Sequence, residues 1–317
     1  MDYVELGRTG LRVSVAGLGC GGSSRLGLGT GKTEQEAAAI VRAAFDRGVT
    51  FFDTAMNYGT ETAVGLGIAG LPRDEVVIST KTQIAADGRL LTAEEVLANL
   101  DASLGRLGLD HVDLYLLHGV RPDHFAHAVT LRDALVRAKE AGKIGHIGIT
   151  ETGPFDPGHA MLGQATRDPA WEVVMVAFHM MHQNARTKVF PQTMANGIGT
   201  LLMFAVRTIF SRPERLRRAM QELLAAGEVP AALASSEDPL GFLVREHGAL
   251  SLIDAAYRYA RHEPGVDVVL FGTGNPDHLE SNIASILRPP LPLAARDELR
   301  RLFGHLEGVG LDLPTKA

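Results

Sequence analysis

The sequence predicts an α/β chain folded as a single (β/α)8 TIM barrel, and three observations predict it. Short β-branched runs alternate with longer amphipathic runs, the pattern of right-handed βαβ units around a parallel sheet. Eight such short runs can be counted. The 317 residues match the usual length of one such barrel. The whole chain, 1–317, therefore reads as one barrel domain, with no linker, internal repeat or low-complexity segment.

The expected strands are Val13 to Leu18, Val49 to Asp53, Val76 to Thr80, Val112 to His118, His146 to Thr150, Glu172 to Ala177, Gly199 to Met203 and Val268 to Gly272. A helix is expected over Thr33 to Arg47, with Thr33 and Glu36 spaced as a capping box and Gly48 as terminator. Thr92 to Leu104 repeats the device with Thr92 and Glu95. Val129 to Ala141, ending at Gly142, and the later Leu252 to Arg261 and Pro276 to Leu287 also read as helices. Two features fall outside the eight units. VELGRTGLRVS has a Gly in a two-strand turn and predicts an N-terminal β-hairpin over one barrel end. Ser211 to Gly248 is too long for a plain connection after the seventh strand. There RPERLRRAMQELLAAG reads as a helix with a solvated basic face, and VPAALASSEDPLG as a loop. The tail LDLPTKA, residues 311–317, is expected to be poorly ordered.

Composition narrows the function. The net charge is −6 and the pI about 6.1, with acids and bases interspersed, so no nucleic-acid partner is expected. The start, MDYVELGRTG, lacks a signal-peptide core, and no apolar run spans a bilayer. No membrane partner is therefore expected. One cysteine, Cys20, excludes an intramolecular disulfide and suits a reducing, cytoplasmic setting. Nothing in the sequence speaks to oligomeric state.

The carboxyl ends of barrel strands share one mouth, and that mouth carries the chemistry. The second strand, in FFDTAMNYG, ends at Asp53, with Tyr58 in the loop beyond. The third ends at Lys81 and the fourth at His118. An acid closing an apolar run is costly unless paired, and Lys81 on the adjacent strand is its expected partner. A lysine ammonium beside Tyr58 is expected to lower the phenol's pKa and make it a proton donor and acceptor. His118 is placed to hydrogen-bond a substrate carbonyl. This is the equipment of a proton-transfer site to which a hydride comes from elsewhere. Taken singly, each residue would more often be structural, but the joint spacing favours function.

Here the chain resembles a known family. FFDTAMNYG, ISTK, NLDASLGRLGLDHVDLYLLHG, ALVRAKEAGKIGHIGI and GLGCGG are similar to signature segments of the aldo-keto reductase superfamily, over about Leu6 to Leu287. The resemblance implies that Asp53, Tyr58, Lys81 and His118 form the catalytic tetrad, with Tyr58 the general acid. It implies a nicotinamide cofactor lying across the mouth without a Rossmann domain, and a small-molecule carbonyl or alcohol substrate. Gly19 and Cys20 fall in the first strand's loop. The later strands depart from the family. Thr150 and Glu151 stand where Ser-Asn holds the nicotinamide carboxamide, and Glu151 can accept from its NH2 group but not donate to its oxygen. Met175 replaces a glutamine, and Met203 an aromatic that stacks on the nicotinamide. By resemblance Gly272, Thr273, Gly274, His278 and Asn282 meet the adenosine phosphates. Gly272, Gly274 and His278 stand where members strict for NADPH place bases. The implied cofactor is therefore NADP(H), with NAD(H) left open.

Other readings carry less. HFAH and HMMH have spacings that suit a metal, but no third ligand accompanies them, and no metal is expected. GLGCGG lacks the GxGxxG setting of a Rossmann turn. Cys20 reads as a small packed residue, and Met180, Met181 and Met203 as pocket lining. A cofactor-binding regulatory protein with little turnover is the alternative, motivated by the changed nicotinamide contacts. A Schiff-base lyase acting through Lys81 would need a lysine of lowered pKa, which Asp53 opposes.

Overall fold

The structure is a computed structural model that describes residues 1–312. Eight parallel strands close a barrel. We number them β1 (Ala16–Gly19), β2 (Phe51–Asp53), β3 (Val77–Gln83), β4 (Val112–Val120), β5 (Ile144–Glu151), β6 (Val173–Ala177), β7 (Gly199–Met203) and β8 (Val268–Phe271). Each overlaps one of the runs read from the sequence, with β3 running on to Gln83, β4 to Val120 and β5 starting at Ile144. The first run, Val13 to Leu18, is two strands. Arg12–Ser14 pairs with Tyr3–Glu5 as the expected hairpin, and β1 starts at Ala16. At the break, Ser14 and Thr50 exchange hydrogen bonds between backbone N–H and side-chain hydroxyl, both 2.9 Å. These replace ladder bonds where the chain leaves the hairpin.

Strand alternation sorts the residues into two apolar bodies. Phe51, Val77, Leu114, Leu116, Val173, Met175, Leu201 and Val268 point inward, and Leu6 and Val13 of the hairpin plug them from below. The neighbours Phe52, Ile78, Tyr115, Leu117, Ile149, Val174 and Val269 point outward and pack under the helices. The interior is thus a filled core, and only the inward residues at the strands' carboxyl ends reach the open mouth.

The helices expected over Leu252 to Arg261 and Pro276 to Leu287 are present with those limits. Both capping boxes form. Others were not legible. Glu61–Ile68 carries Gly65 and Gly67, and glycine weakens a helix interior. Both are demanded by packing, because a Cβ at Gly65 would strike the Leu107 backbone and one at Gly67 the Val41 side chain. A second hairpin, Ala85–Ala86 with Arg89–Leu90, follows β3. Its turn is Asp87-Gly88 at φ 51° and 77°, the conformation an Asp-Gly pair favours. After β7 the basic helix runs Pro213–Ala225, and the segment expected to be loop holds a helical turn at Ala231–Ala234. Leu293–Phe303 adds a last helix. Of the tail expected to be poorly ordered, 313–317 lies outside the described residues. Among the described residues, no helix is long and apolar enough to cross a membrane.

At the end of the barrel away from the mouth, Glu172 ties three elements together. Its carboxylate accepts from Lys139 at 2.7 Å, His146 at 2.7 Å and the Ile147 N–H at 3.1 Å. Burial works against its ionisation, but these donors prevail and hold the carboxyl down at about 2. A depressed folded-state pKa stabilises above the unfolded value and loses that stability as pH falls through the folded one. Glu172→Gln should therefore cost roughly 1–2 kcal/mol at neutral pH, since solvent screens part of the effect, with the gap from wild type closing between about pH 4.5 and 2, as measured by urea unfolding.

Candidate active site

Alternation places the polar strand ends. Asp53 follows inward Phe51, Lys81 follows Val77 and Ser79, and His118 follows Leu114 and Leu116. The strands' tilt brings Lys81 beside Asp53, although Asp53 pairs in register with Ser79. Lys81 Nζ donates to Asp53 Oδ2 at 2.8 Å and to the Thr54 carbonyl at 2.6 Å, and Ser79 Oγ donates to Asp53 Oδ1 at 2.9 Å. Lys81 is wholly buried and Asp53 nearly so. Burial pushes the Asp53 carboxyl up, against the pull of Lys81 and Ser79. Burial also works against the Lys81 ammonium, but Asp53 and Tyr58 outweigh it and hold the lysine above its ordinary value.

Tyr58 sits in the loop between β2 and the Glu61–Ile68 helix. Backbone bonds from Thr54 N to the Ser79 carbonyl and Met56 N to the Lys81 carbonyl pin this loop to β3. The ring lies over Lys81, with Nζ 5.0 Å from its centroid. Its hydroxyl is 3.2 Å from His118 Nε2. Gly21 makes room, since a Cβ there would come within 2.6–2.9 Å of the Tyr58 ring. Burial raises the Tyr58 pKa above its ordinary value, and Lys81 offsets this only in part. That corrects the expectation of a lowered phenol pKa: desolvation of the phenolate outweighs the neighbouring ammonium. Tyr58 is thus held in its protonated form. His118 is held at about 3 by burial and by Lys81, so its ring is a neutral imidazole near pH 7. Among the described residues its Nδ1 is buried without a partner. Next to it a register shift between Leu117 and Val120 carries Gly119 at φ 61°.

The structure thus brings the four predicted tetrad residues together, and treats the cofactor candidates unequally. Thr150 points inward, but its hydroxyl already accepts from Gly119 N at 2.7 Å. Glu151 points outward, under the helices. Its oxygens accept from the Ala177 N–H at 2.7 Å and pair with His159 Nδ1 at 2.8 Å. It does not face the mouth and cannot accept from a carboxamide there. Met175 lies in the barrel interior, and Met203 packs half-buried beside it. Cys20 is wholly buried on the outward side, and burial raises its thiol pKa. Met180 and Met181 are likewise buried in the outer layer. Of HMMH, His179 and His182 are buried and joined by paired backbone hydrogen bonds of 3.1 and 3.0 Å. Among the described residues no group of three or more His, Cys, Asp or Glu is placed to hold a metal ion. Beside the end of β8, a cleft of about 560 Å³ is lined by Gly272, Thr273, Gly274 and His278, but not by Asn282. Sequence reasoning missed Lys32, which enters the same cleft from the β1 loop.

A closed parallel barrel with such a mouth is a barrel enzyme. The chain belongs to the Aldo/keto reductase family, whose sequence model matches residues 18–300. It is 28% identical to the L-galactose dehydrogenase of Arabidopsis thaliana over 297 residues, covering 90% of this chain and 88% of that protein. It is 26% identical to the aldo-keto reductase YhdN of Bacillus subtilis over 306 residues, covering 89% and 87%. Its fold matches the aldo-keto reductase AKR11C1 of Bacillus halodurans, in its holo form, with a TM-score of 0.72 at 21% identity over 96% of each chain. The chain is therefore an NAD(P)H-dependent oxidoreductase acting on small-molecule carbonyls or alcohols.

The buried pair makes a stability prediction. Lys81→Met leaves Asp53 without its partner in a dry site, and should cost about 3–5 kcal/mol. Lys81→Met combined with Asp53→Asn should recover more than half of that loss. Denaturant unfolding of the two single variants and the double variant measures this coupling.

Proposed function

We propose that this chain transfers hydride between NADP(H) and an aldehyde or ketone, or the matching alcohol, with Tyr58 as the general acid and base. The observation that carries the reading is the Tyr58 hydroxyl, held protonated 3.2 Å from the neutral imidazole of His118. The cofactor, when bound, supplies or takes the hydride at the substrate carbon. The chain's own residues handle the oxygen. Neutral His118 can donate from Nε2 to the carbonyl oxygen and so orient it. Tyr58 gives its proton to that oxygen as negative charge develops on it. Lys81 sits over the ring as the phenolate forms, and Asp53 keeps that lysine charged. In the oxidation direction the same hydroxyl must first lose its proton, which its raised pKa opposes near neutrality.

The residues fit the cofactor better at one end than at the other. The cleft by β8 offers the Ser24 hydroxyl, glycine backbone and the Lys32 ammonium to phosphates. At the other end Met175 is sealed in the core, and Glu151 has no free oxygen facing the mouth. A bound nicotinamide would meet the half-buried Met203 there. The likeness to L-galactose dehydrogenase supports a sugar, or a polyol of similar size, as the substrate.

Tyr58→Phe should lower kcat about 10²–10⁴-fold, while NADPH affinity changes less than about twofold. Steady-state rates over a panel of aldehydes, ketones and sugars, with a fluorescence titration of NADPH, measure both. Full activity in this variant would sink the reading. Tight cofactor binding by wild type, with no turnover across the panel, would favour a regulatory protein of the same fold.

A further inference from the structure

We propose that Lys32 recognises the 2′-phosphate of the cofactor and makes NADPH the preferred dinucleotide; this rests on the reading of the chain as a nicotinamide-dependent reductase. The three positions after β8 where a base would be expected are Gly272, Gly274 and His278, none of them a strong cation. The structure supplies the charge from the other end of the sequence. Lys32 Nζ donates to the Gly274 carbonyl at 2.7 Å, across 242 positions of sequence.

The loop that delivers Lys32 is a built element. After β1 the chain turns through left-handed backbone at Leu26 (φ 60°) and Gly27 (φ 100°), and again at Gly31 (φ 90°). Leu26 is wholly buried in the outer core and anchors the turn. Thr30 Oγ1 and the Lys32 N–H both donate to the Gly27 carbonyl, at 2.9 and 3.1 Å. The Gly27 backbone lies directly against Gly274, where any Cβ would strike it. Loop and β8 end therefore fit each other closely, and Lys32 follows from that fit.

The cleft between them suits a phosphate monoester. Ser24 brings a hydroxyl and Lys32 its charge, and among the described residues no Asp or Glu lines it. An ammonium has three hydrogens, and the Gly274 carbonyl takes one. Among the described residues Lys32 makes no ion pair. The remaining hydrogens are available to an anion, and charge-assisted bonds of this kind are the strong ones. The ribose hydroxyl of NADH carries no charge to attract the ammonium, so Lys32 discriminates between the two cofactors.

The test titrates purified full-length protein with NADPH and with NADH, reading nicotinamide fluorescence, for wild type and three variants. Lys32→Met should weaken NADPH by about tenfold and NADH by less than about twofold. Lys32→Gln keeps a donor for the Gly274 carbonyl but loses the charge, and should behave like Lys32→Met. Lys32→Arg should retain most of the NADPH affinity. Binding of 2′,5′-ADP should fall with Lys32→Met while binding of 5′-ADP does not. Equal weakening of both dinucleotides, an unchanged affinity ratio, or wild-type behaviour in Lys32→Gln would overturn the assignment. Failure of wild type to bind either dinucleotide would instead overturn the reductase reading beneath it.

Discussion

The buried ion pair between Lys81 and Asp53 is the constraint on which the mouth depends. A lysine with no exposed surface is held among a carboxylate, a backbone carbonyl and a tyrosine ring. Each of these groups would be costly alone in a dry site. Together they balance one another and fix the geometry. Asp53 keeps Lys81 charged, Lys81 lies beneath Tyr58, and Tyr58 meets a His118 that burial and the same lysine keep neutral. No member can change charge without disturbing its neighbours.

Alternation along the strands is what makes this arrangement affordable. Below the mouth, inward positions are apolar and close-packed. Polar inward residues gather toward the carboxyl ends of the strands, where Ser79, Lys81 and Asp53 satisfy one another. The same rule separates the candidates that face the mouth from those that do not. Asp53, Lys81 and His118 share the parity of the interior. Glu151 has the opposite parity and is drawn into a pair with His159 beneath the helices.

This explains what could and could not be read in advance. Strand identity, and the meeting of Asp53, Tyr58, Lys81 and His118 at one mouth, were legible because each lies in a local pattern: an apolar run, an end, a residue type. The helix at Glu61–Ile68 was hidden because Gly65 and Gly67 serve contacts with Leu107 and Val41, which local propensity does not record. Glu151 was misplaced because its partners, His159 and the Ala177 N–H, lie on other elements. Lys32 was invisible because its cleft is assembled from segments that meet only in the fold. The direction of the Tyr58 shift depended on weighing burial against a charge, and the extent of burial is a property of three dimensions.

The central claim is that burial keeps the Tyr58 hydroxyl protonated while Lys81 moderates that effect. It is tested most directly by the phenolate absorbance of Tyr58, taken as the difference between wild type and Tyr58→Phe across an alkaline titration. Tyr58 should ionise above the ordinary tyrosine value of about 10, and higher still when Lys81 is replaced by methionine. Ionisation of Tyr58 at about 8 or below, or no change on loss of Lys81, would contradict it.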